Sequence, residues 1–504
     1  MDKLFGIDFG TGGCKATIID TRGNVLATAF EEYPSEHHRP GWSEQDPALW
    51  IQALIDTVQK CKNMMEDGFD GVLGLAVTAS THNAVLLDEG GKVIRRCIMW
   101  NDQRSAEQSR WLEERYGGQI FGIAMAKPAP TWTLSQLLWV KENEPENYKR
   151  IHRLMFTKDY VRSWITGDFV TDVVDAQGSL FYDAKAGQWS KTLCDMIDLP
   201  LNALPKVVKS REVVGQVRPE IAALTGLPEG LPVIAGCSDT AAEDLSAGAV
   251  REGQIIVKLA TAGNVNIVLN DAKPHAKSFT YPYSVEGKWY TVTATNSCAS
   301  ANRWLRDTFY PVEKALCEEK GEDVYLLMNE QAAKVPLGCD GLIFHPYLLG
   351  ERCPYFNADA RANFFGVSMM HTKGHFARAL LEGVAFSLYD CLEVLKNFTE
   401  NMEDVVLIGG GAKSPLWSQI VSDVFGLEVK VPEHAESSFG GALLVGVGAG
   451  VFRDEAEAVE SCVRMKSVFT PDRENHEKYK RIHALYQKIV HAQEPLWEEL
   501  KQLP

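Results

Sequence analysis

Phe5-Gly6-Ile7-Asp8-Phe9-Gly10-Thr11-Gly12-Gly13-Cys14-Lys15-Ala16-Thr17-Ile18-Ile19-Asp20 alternates β-forming residues about a Gly/Thr centre, the pattern of a hairpin. A second glycine-containing turn, Thr21-Arg22-Gly23-Asn24, leads into residues 25–30, so the opening predicts a three-strand meander. The plan returns 250 positions later in Ile255-Ile256-Val257-Lys258-Leu259-Ala260-Thr261-Ala262-Gly263-Asn264-Val265-Asn266-Ile267-Val268-Leu269, where Thr261 falls on Thr11 and Gly263 on Gly13. An offset of almost half the chain suggests a duplicated domain with one phosphate-type turn per half. Two identities between β-hairpins also arise by chance, so the repeat needs further support.

The chain between these hairpins alternates helices with strands. Asp46-Pro47 opens a helix, with Asp at the cap and Pro in the first turn. Residues 71–77 form a short, almost wholly apolar run, typical of a strand covered on both faces. Val405-Val406-Leu407-Ile408 repeats that pattern and is followed by a glycine turn and a helix from about Pro415. From Arg473 onward a charged helix carries apolar positions at Tyr479, Ile482, Leu485 and Ile489, which should pack back on the second half. This alternation predicts the α/β class.

Composition narrows the functional classes. The chain has 504 residues, 45% of them hydrophobic, ample for a packed core. Acidic residues outnumber basic ones by 67 to 51, a net charge of −16 that disfavours nucleic acid and anionic membrane surfaces as partners. The eleven cysteines are scattered, odd in number and never spaced CxxC, as expected of reduced thiols. Met1-Asp2-Lys3 runs directly into the first strand, so a cytoplasmic location is expected. The apolar residues 439–452 contain five glycines and fall short of a membrane span, which favours a buried helix.

Three segments could carry chemistry. Asp8 precedes Gly10-Thr11-Gly12-Gly13, whose amides can approach a phosphate and whose neighbouring carboxylate could hold Mg²⁺; an ordinary tight turn fits the same residues. Asp239, in Gly236-Cys237-Ser238-Asp239-Thr240, is either a helix cap or a carboxylate at a strand's C-terminal end, where α/β sheets collect their chemistry. Gly409-Gly410-Gly411-Ala412-Lys413-Ser414 lies between strand and helix, as a simple turn or a nucleotide contact, and lacks P-loop or GxGxxG spacing. His371 and His375 lack the glutamate and helix of a zinc motif, and no GxSxG elbow is present.

Taken together, Gly6-Ile7-Asp8-Phe9-Gly10-Thr11, residues 236–242, residues 407–412 and the repeat resemble the FGGY carbohydrate kinases, nearly end to end. Within that family the chain looks most like the xylulose kinases. Gly41-Trp42-Ser43-Glu44-Gln45-Asp46-Pro47, Trp100-Asn101-Asp102, Lys158-Asp159-Tyr160 and Tyr347-Leu348-Leu349-Gly350-Glu351-Arg352 carry that likeness. Residues 362–367 and 375–382 fit the family's second pattern.

The resemblance implies two ribonuclease-H-like (actin/hexokinase-type) domains, residues 1–247 and 248–504, with a catalytic cleft between them. It also implies ATP-dependent phosphorylation of a terminal hydroxyl on a small sugar or polyol, most plausibly a ketopentose such as D-xylulose. Ribulose, another pentulose, a polyol, a tetrose derivative and gluconate are the alternative acceptors. By the same likeness Asp239 is the general base, and Asp8 and Asp239 are the Mg²⁺ ligands. ATP is assigned to Thr11, Gly12, Gly13 and Lys15, to Thr261, Ala262 and Gly263, and to Gly410, Gly411, Ala412 and Ser414. The sugar is assigned to Thr81, His82, Trp100, Asp102 and Asp239, and a homodimer is possible. Three positions depart from the pattern: Ala260 replaces a phosphate-turn glycine, Gln136 a lysine, and Thr81 a sugar-site methionine. Ala260 and Gln136 leave room for a sugar-sensing homologue without catalysis, against which the retention of Asp8 and Asp239 counts. A chaperone-like ATPase would share the fold but would not need the segments around His82 and Trp100.

Overall fold

In the computed structural model, which describes residues 1–503, the opening hairpin forms as its alternation requires. Lys3–Gly10 pairs antiparallel with Gly13–Asp20, and Val25–Glu32 completes the meander. Phe5, Ile7 and Phe9 enter one core cluster while Leu4 enters another, so this strand is covered on both faces. The apolar run becomes strand Val72–Ala79, parallel to Lys3–Gly10, and Pro232–Ile234 lies parallel on its other side. With Val213–Gln216 at the edge, the first sheet has six strands. Helix Pro47–Met64 covers it, with the Asp46 carboxylate accepting the Ala48 amide at its cap.

The second half repeats the plan. Ile255–Leu259 and Gly263–Leu269 form the hairpin, and Trp289–Thr295 and Phe279–Pro282 extend it. Val405–Ile408 and Val429–Pro432 join in parallel, and Met465–Phe469 closes a seven-stranded sheet. Each unit is a ribonuclease-H-like domain in which an antiparallel meander feeds parallel strands flanked by helices.

Division in space differs from division in sequence. Helix Ser437–Gly448, a late element of the second half, lies against Lys3–Gly10 and Val72–Ala79 of the first sheet and against helix Asp239–Ser246. Glycine permits the approach: a Cβ on Gly6 would sit 1.8 Å from the Ser438 carbonyl oxygen, and one on Gly440 would sit 1.9 Å from that of Ala242. The two helices fill the space between the sheets, so Leu4, Ala76 and Ile234 share one buried cluster with Ile256, Val406 and Ile408. This is the buried helix expected over residues 439–452.

The C-terminal helix spans Arg473–Lys501 and buries Tyr479, His483, Tyr486, Ile489, Val490 and Trp497. Of the apolar positions expected to pack, Leu485 is exposed and Ile482 half-buried, because the docking stripe runs one position away, through His483 and Tyr486. All eleven cysteines are unpaired and buried. Among the described residues no helix is long and apolar enough to cross a membrane.

Candidate active site

Three adjacent parallel strands of the first sheet, Lys3–Gly10, Val72–Ala79 and Pro232–Ile234, end side by side, and Asp8 and Asp239 stand along that rim. Asp8 is near the end of the first strand, where Thr78 of the second donates its hydroxyl to Asp8 Oδ1 at 2.8 Å. Ser238 bridges to Ala79, and Asp239 follows as the first residue of helix Asp239–Ser246. The helix cap is Ser238, whose Oγ accepts the Ala241 amide, so the Asp239 side chain is not used as a cap. Asp239 Oδ1 takes the Thr240 amide at 2.6 Å and the Thr240 hydroxyl at 3.2 Å, which leaves Oδ2 without a protein partner.

Asp239 disturbs Asp8. Burial, reinforced by the charge of Asp239, pushes the Asp8 carboxyl up to about 8. Burial also raises Asp239, and Lys258 works against that rise. Two carboxylates facing one poorly solvated space suit a hard divalent cation. No group of three protein ligands meets among the described residues, so Mg²⁺ would take part of its shell from phosphate and water, its usual habit.

Two turns border this rim. Thr11 and Gly12 join the first hairpin; Tyr33 donates its hydroxyl to the Gly10 carbonyl at 2.6 Å, and Gln45 donates to the Thr11 carbonyl at 2.7 Å. Thr261 and Ala262 join the second, held from behind by the amides of Cys298 and Ser300 on the Thr261 carbonyl. Gly13 and Gly263, assigned to phosphate by their matching spacing, are buried instead. A Cβ on Gly13 would strike the Phe30 ring and the Glu31 carbonyl at 2.5 Å, and one on Gly263 would strike Leu388 and Thr295 at 2.8 Å. The repeat therefore preserved these glycines for strand packing, and the accessible members of the turns are Thr11, Gly12, Thr261 and Ala262. Ala260 has no positive φ, so its side chain is unstrained.

Gly409 takes φ +88° beside Leu259, where a Cβ would lie 2.7 Å from the Leu259 carbonyl oxygen. Gly410 is exposed with open space above it, whereas Gly411 and Ala412 are buried, Gly411 against Leu259 and Trp417. Ser414 caps helix Pro415–Phe425 by accepting the Trp417 amide, so its hydroxyl is committed. Lys15 is likewise engaged, by Glu436 at 2.5 Å. Gln136 donates to the Met99 and Thr131 carbonyls, which makes it a brace inside the first domain.

The expected sugar segment emerges from the end of Val72–Ala79. His82 adopts φ +54° and packs against Trp132, its ring tilted 34° to the indole with centroids 4.8 Å apart. It is 8% exposed, its Nδ1 has no partner, and burial lowers its pKa to about 3, so the imidazole is neutral. Asn83 accepts the Trp100 amide at 2.6 Å, and Trp100 donates its indole N–H to Thr11 Oγ1 at 2.9 Å, linking this wall to the first turn. Asp102, expected to touch sugar, is fully buried with both oxygens taken by Arg104, and it also accepts the Ser43 amide. It holds the wall rather than a substrate. Behind His82, Lys158 is enclosed by Asp159, Asp172 and Asp175 at 2.6–3.1 Å.

Two residues at the site were missed. Tyr281, from the second half, packs on Trp132 and feels the charges of Asp175 and Asp239, which with burial hold its phenol un-ionised. Lys258 points toward Glu243 and Asp239. The signal for Lys258 in the sequence is the 250-residue offset, which aligns it with Asp8.

Known proteins place the chain in a family. Residues 4–246 match the model of the FGGY family of carbohydrate kinases, N-terminal domain, and residues 258–449 match its C-terminal domain. A xylulose kinase of Bacillus subtilis is 31% identical over 495 residues, 97% of either chain. The crystal structure of a xylulose kinase from Rhodospirillum rubrum superposes with a TM-score of 0.90 at 29% identity, covering 98% of this chain and all of that one. A gluconokinase of Bacillus subtilis is 29% identical over 489 residues, 96% of this chain and 94% of its own. Two matched domains in order and likeness over nearly the whole length lead to one conclusion: the chain belongs to the FGGY family of carbohydrate kinases and is a sugar kinase.

Proposed function

We propose that this kinase transfers the terminal phosphoryl group of ATP to a terminal hydroxyl of a ketopentose, D-xylulose foremost. The observation that carries the choice of a neutral sugar is His82, a buried and uncharged imidazole whose Nδ1 awaits one hydrogen bond. Its neighbours Thr81 and Asp175 are neutral or acidic, and Lys158 is spent on three aspartates. A carboxylate substrate such as gluconate would meet no free cation at this end, and burying it unpaired would be costly. The xylulose kinase of Bacillus subtilis supports the same choice at 31% identity, against 29% for the gluconokinase.

In this reading the sugar lies between His82 and Asp239, and Asp239 Oδ2, free of protein partners, accepts the proton of the attacking hydroxyl. Thr11 and Gly12 from one half and Thr261 and Ala262 from the other hold the phosphates in line, and the open face of Gly410 receives the adenosine. Asp8 and Asp239 would hold Mg²⁺, which neutralises phosphate charge when bound. Trp100 ties the sugar wall to Thr11, so the acceptor and donor sites share one hydrogen bond.

The test is ADP release from the purified chain across D-xylulose, D-ribulose, pentitols, erythritol and gluconate. The expected result is turnover that requires acceptor and is fastest with D-xylulose. Sugar-independent hydrolysis would refute the kinase assignment, and a preference for gluconate would refute the neutral-pocket argument.

A further inference from the structure

We infer that Lys258 is a catalytic residue of this kinase, its ammonium group meeting the phosphoryl group as it passes to the hydroxyl held at Asp239. This rests on the reading above. Side chains alternate along strand Ile255–Leu259: Val257 and Leu259 enter the core of the second domain, while Ile256 enters the cluster between the sheets. Lys258 shares the inward face of Ile256, two residues before the Ala260-Thr261-Ala262 turn. At the 250-residue offset it is the counterpart of Asp8, so the two halves present an acid and a base at matching inward positions.

Its partner fixes where the charge lies. Lys258 Nζ meets Glu243 Oε2, and Glu243 stands four residues after Asp239, on the same face of helix Asp239–Ser246. The ammonium group therefore lies between the second phosphate turn and the proposed base. Its side chain keeps 31% exposure, unlike the sealed Lys158, so it can leave Glu243 for an incoming anion. The other inward lysine, Lys15, is on the opposite half and held by Glu436.

The surroundings give such a cation a task beside that of Mg²⁺. Asp239 and Glu243 flank the path of a phosphoryl group whose transition state spreads negative charge over three oxygens. A fixed ammonium group answers that charge where it develops. The balance is simple: the sugar oxygen–phosphorus bond forms, the phosphorus–oxygen bond to ADP breaks, the hydroxyl proton goes to Asp239, and Lys258 keeps its own protons throughout.

Three variants test this, Lys258→Met, Lys258→Arg and Glu243→Gln, assayed for sugar-dependent ADP release with melting temperatures alongside. Lys258→Met should lower kcat by roughly 10²- to 10³-fold, the usual loss for one transition-state donor, with little change in sugar KM. Lys258→Arg should recover at least about tenfold of that loss, since it keeps the charge. Glu243→Gln loosens the same ion pair but keeps the ammonium charge, so its loss of kcat should be at least about tenfold smaller than that of Lys258→Met. Lys258→Gln replaces Lys258→Met if the latter does not fold. Near-wild-type kcat in the Met or Gln variant, or an equal loss in Glu243→Gln, overturns the inference. Absence of sugar-dependent turnover in the wild-type chain overturns the kinase reading as well, so the two failures are distinguishable.

Discussion

Replacing His82 isolates the sugar contact. The residue is buried, its Nδ1 lacks a partner, and its ring packs against Trp132. Removing the imidazole strands one sugar hydroxyl in a site that excludes water, at about 1–3 kcal/mol, or roughly 5- to 150-fold in kcat/KM for the sugar. Alanine alone is an ambiguous test, because the Trp132 contact is lost with the hydrogen bond. Asparagine tolerates the φ of +54° at this position and places an amide nitrogen near the position of Nδ1. His82→Asn should therefore recover much of the loss, whereas His82→Gln, which mimics Nε2, should not. Steady-state ADP release with sugar varied at saturating ATP measures this, with the KM for ATP and the melting temperature as controls. Equal losses in all three variants, for every sugar and in step with stability, would refute the pocket.

Other outcomes follow from the same geometry. Asp239→Asn should bind sugar and ATP but lower kcat by roughly 10²- to 10⁴-fold, because the amide cannot take the proton; near-normal turnover would falsify its role as base. Ala260→Gly should leave the KM for ATP unchanged or slightly lower, since Ala260 is unstrained and a glycine only opens the turn. A marked rise in that KM would show that the Ala260 methyl supports the loop. His82, with a folded pKa near 3 against about 6.5 unfolded, makes the unfolded chain bind the extra proton below pH 6.5, so stability falls as pH drops through that range. Between pH 7 and 5 the wild type should lose about 2 kcal/mol more than His82→Asn in urea unfolding, and equal losses would show that the imidazole is charged in the native state.

Local chemistry made much of the fold legible. The alternation of residues 5–20, the Asp46-Pro47 helix start and the apolar run ending at Val77 each state their own conformation, and each formed. Neighbours brought in from afar were not legible. Gly13 and Gly263 looked like phosphate glycines, yet Phe30 and Leu388 decide that no side chain fits there. Asp102 looked free for substrate until Arg104 folded onto it. Leu485 fits a 3.6-residue stripe as well as His483 does, and only the docking angle of the last helix separates them. Tyr281 carries no motif, because its place depends on the second half leaning against Trp132.

The helix Ser437–Gly448 also imposes an order of assembly in time. Residues 1–247 hold all the strands of the first sheet, but the helix that covers the inner face beside Leu4 and Ala76 is translated about 190 residues later. At roughly 5–20 residues per second, a ribosome leaves that face open for about 10–40 s. The first domain must wait, partly folded and with apolar surface exposed, for the last seventh of its own chain. A fragment ending near residue 247 should for that reason aggregate unless the remainder is supplied in trans.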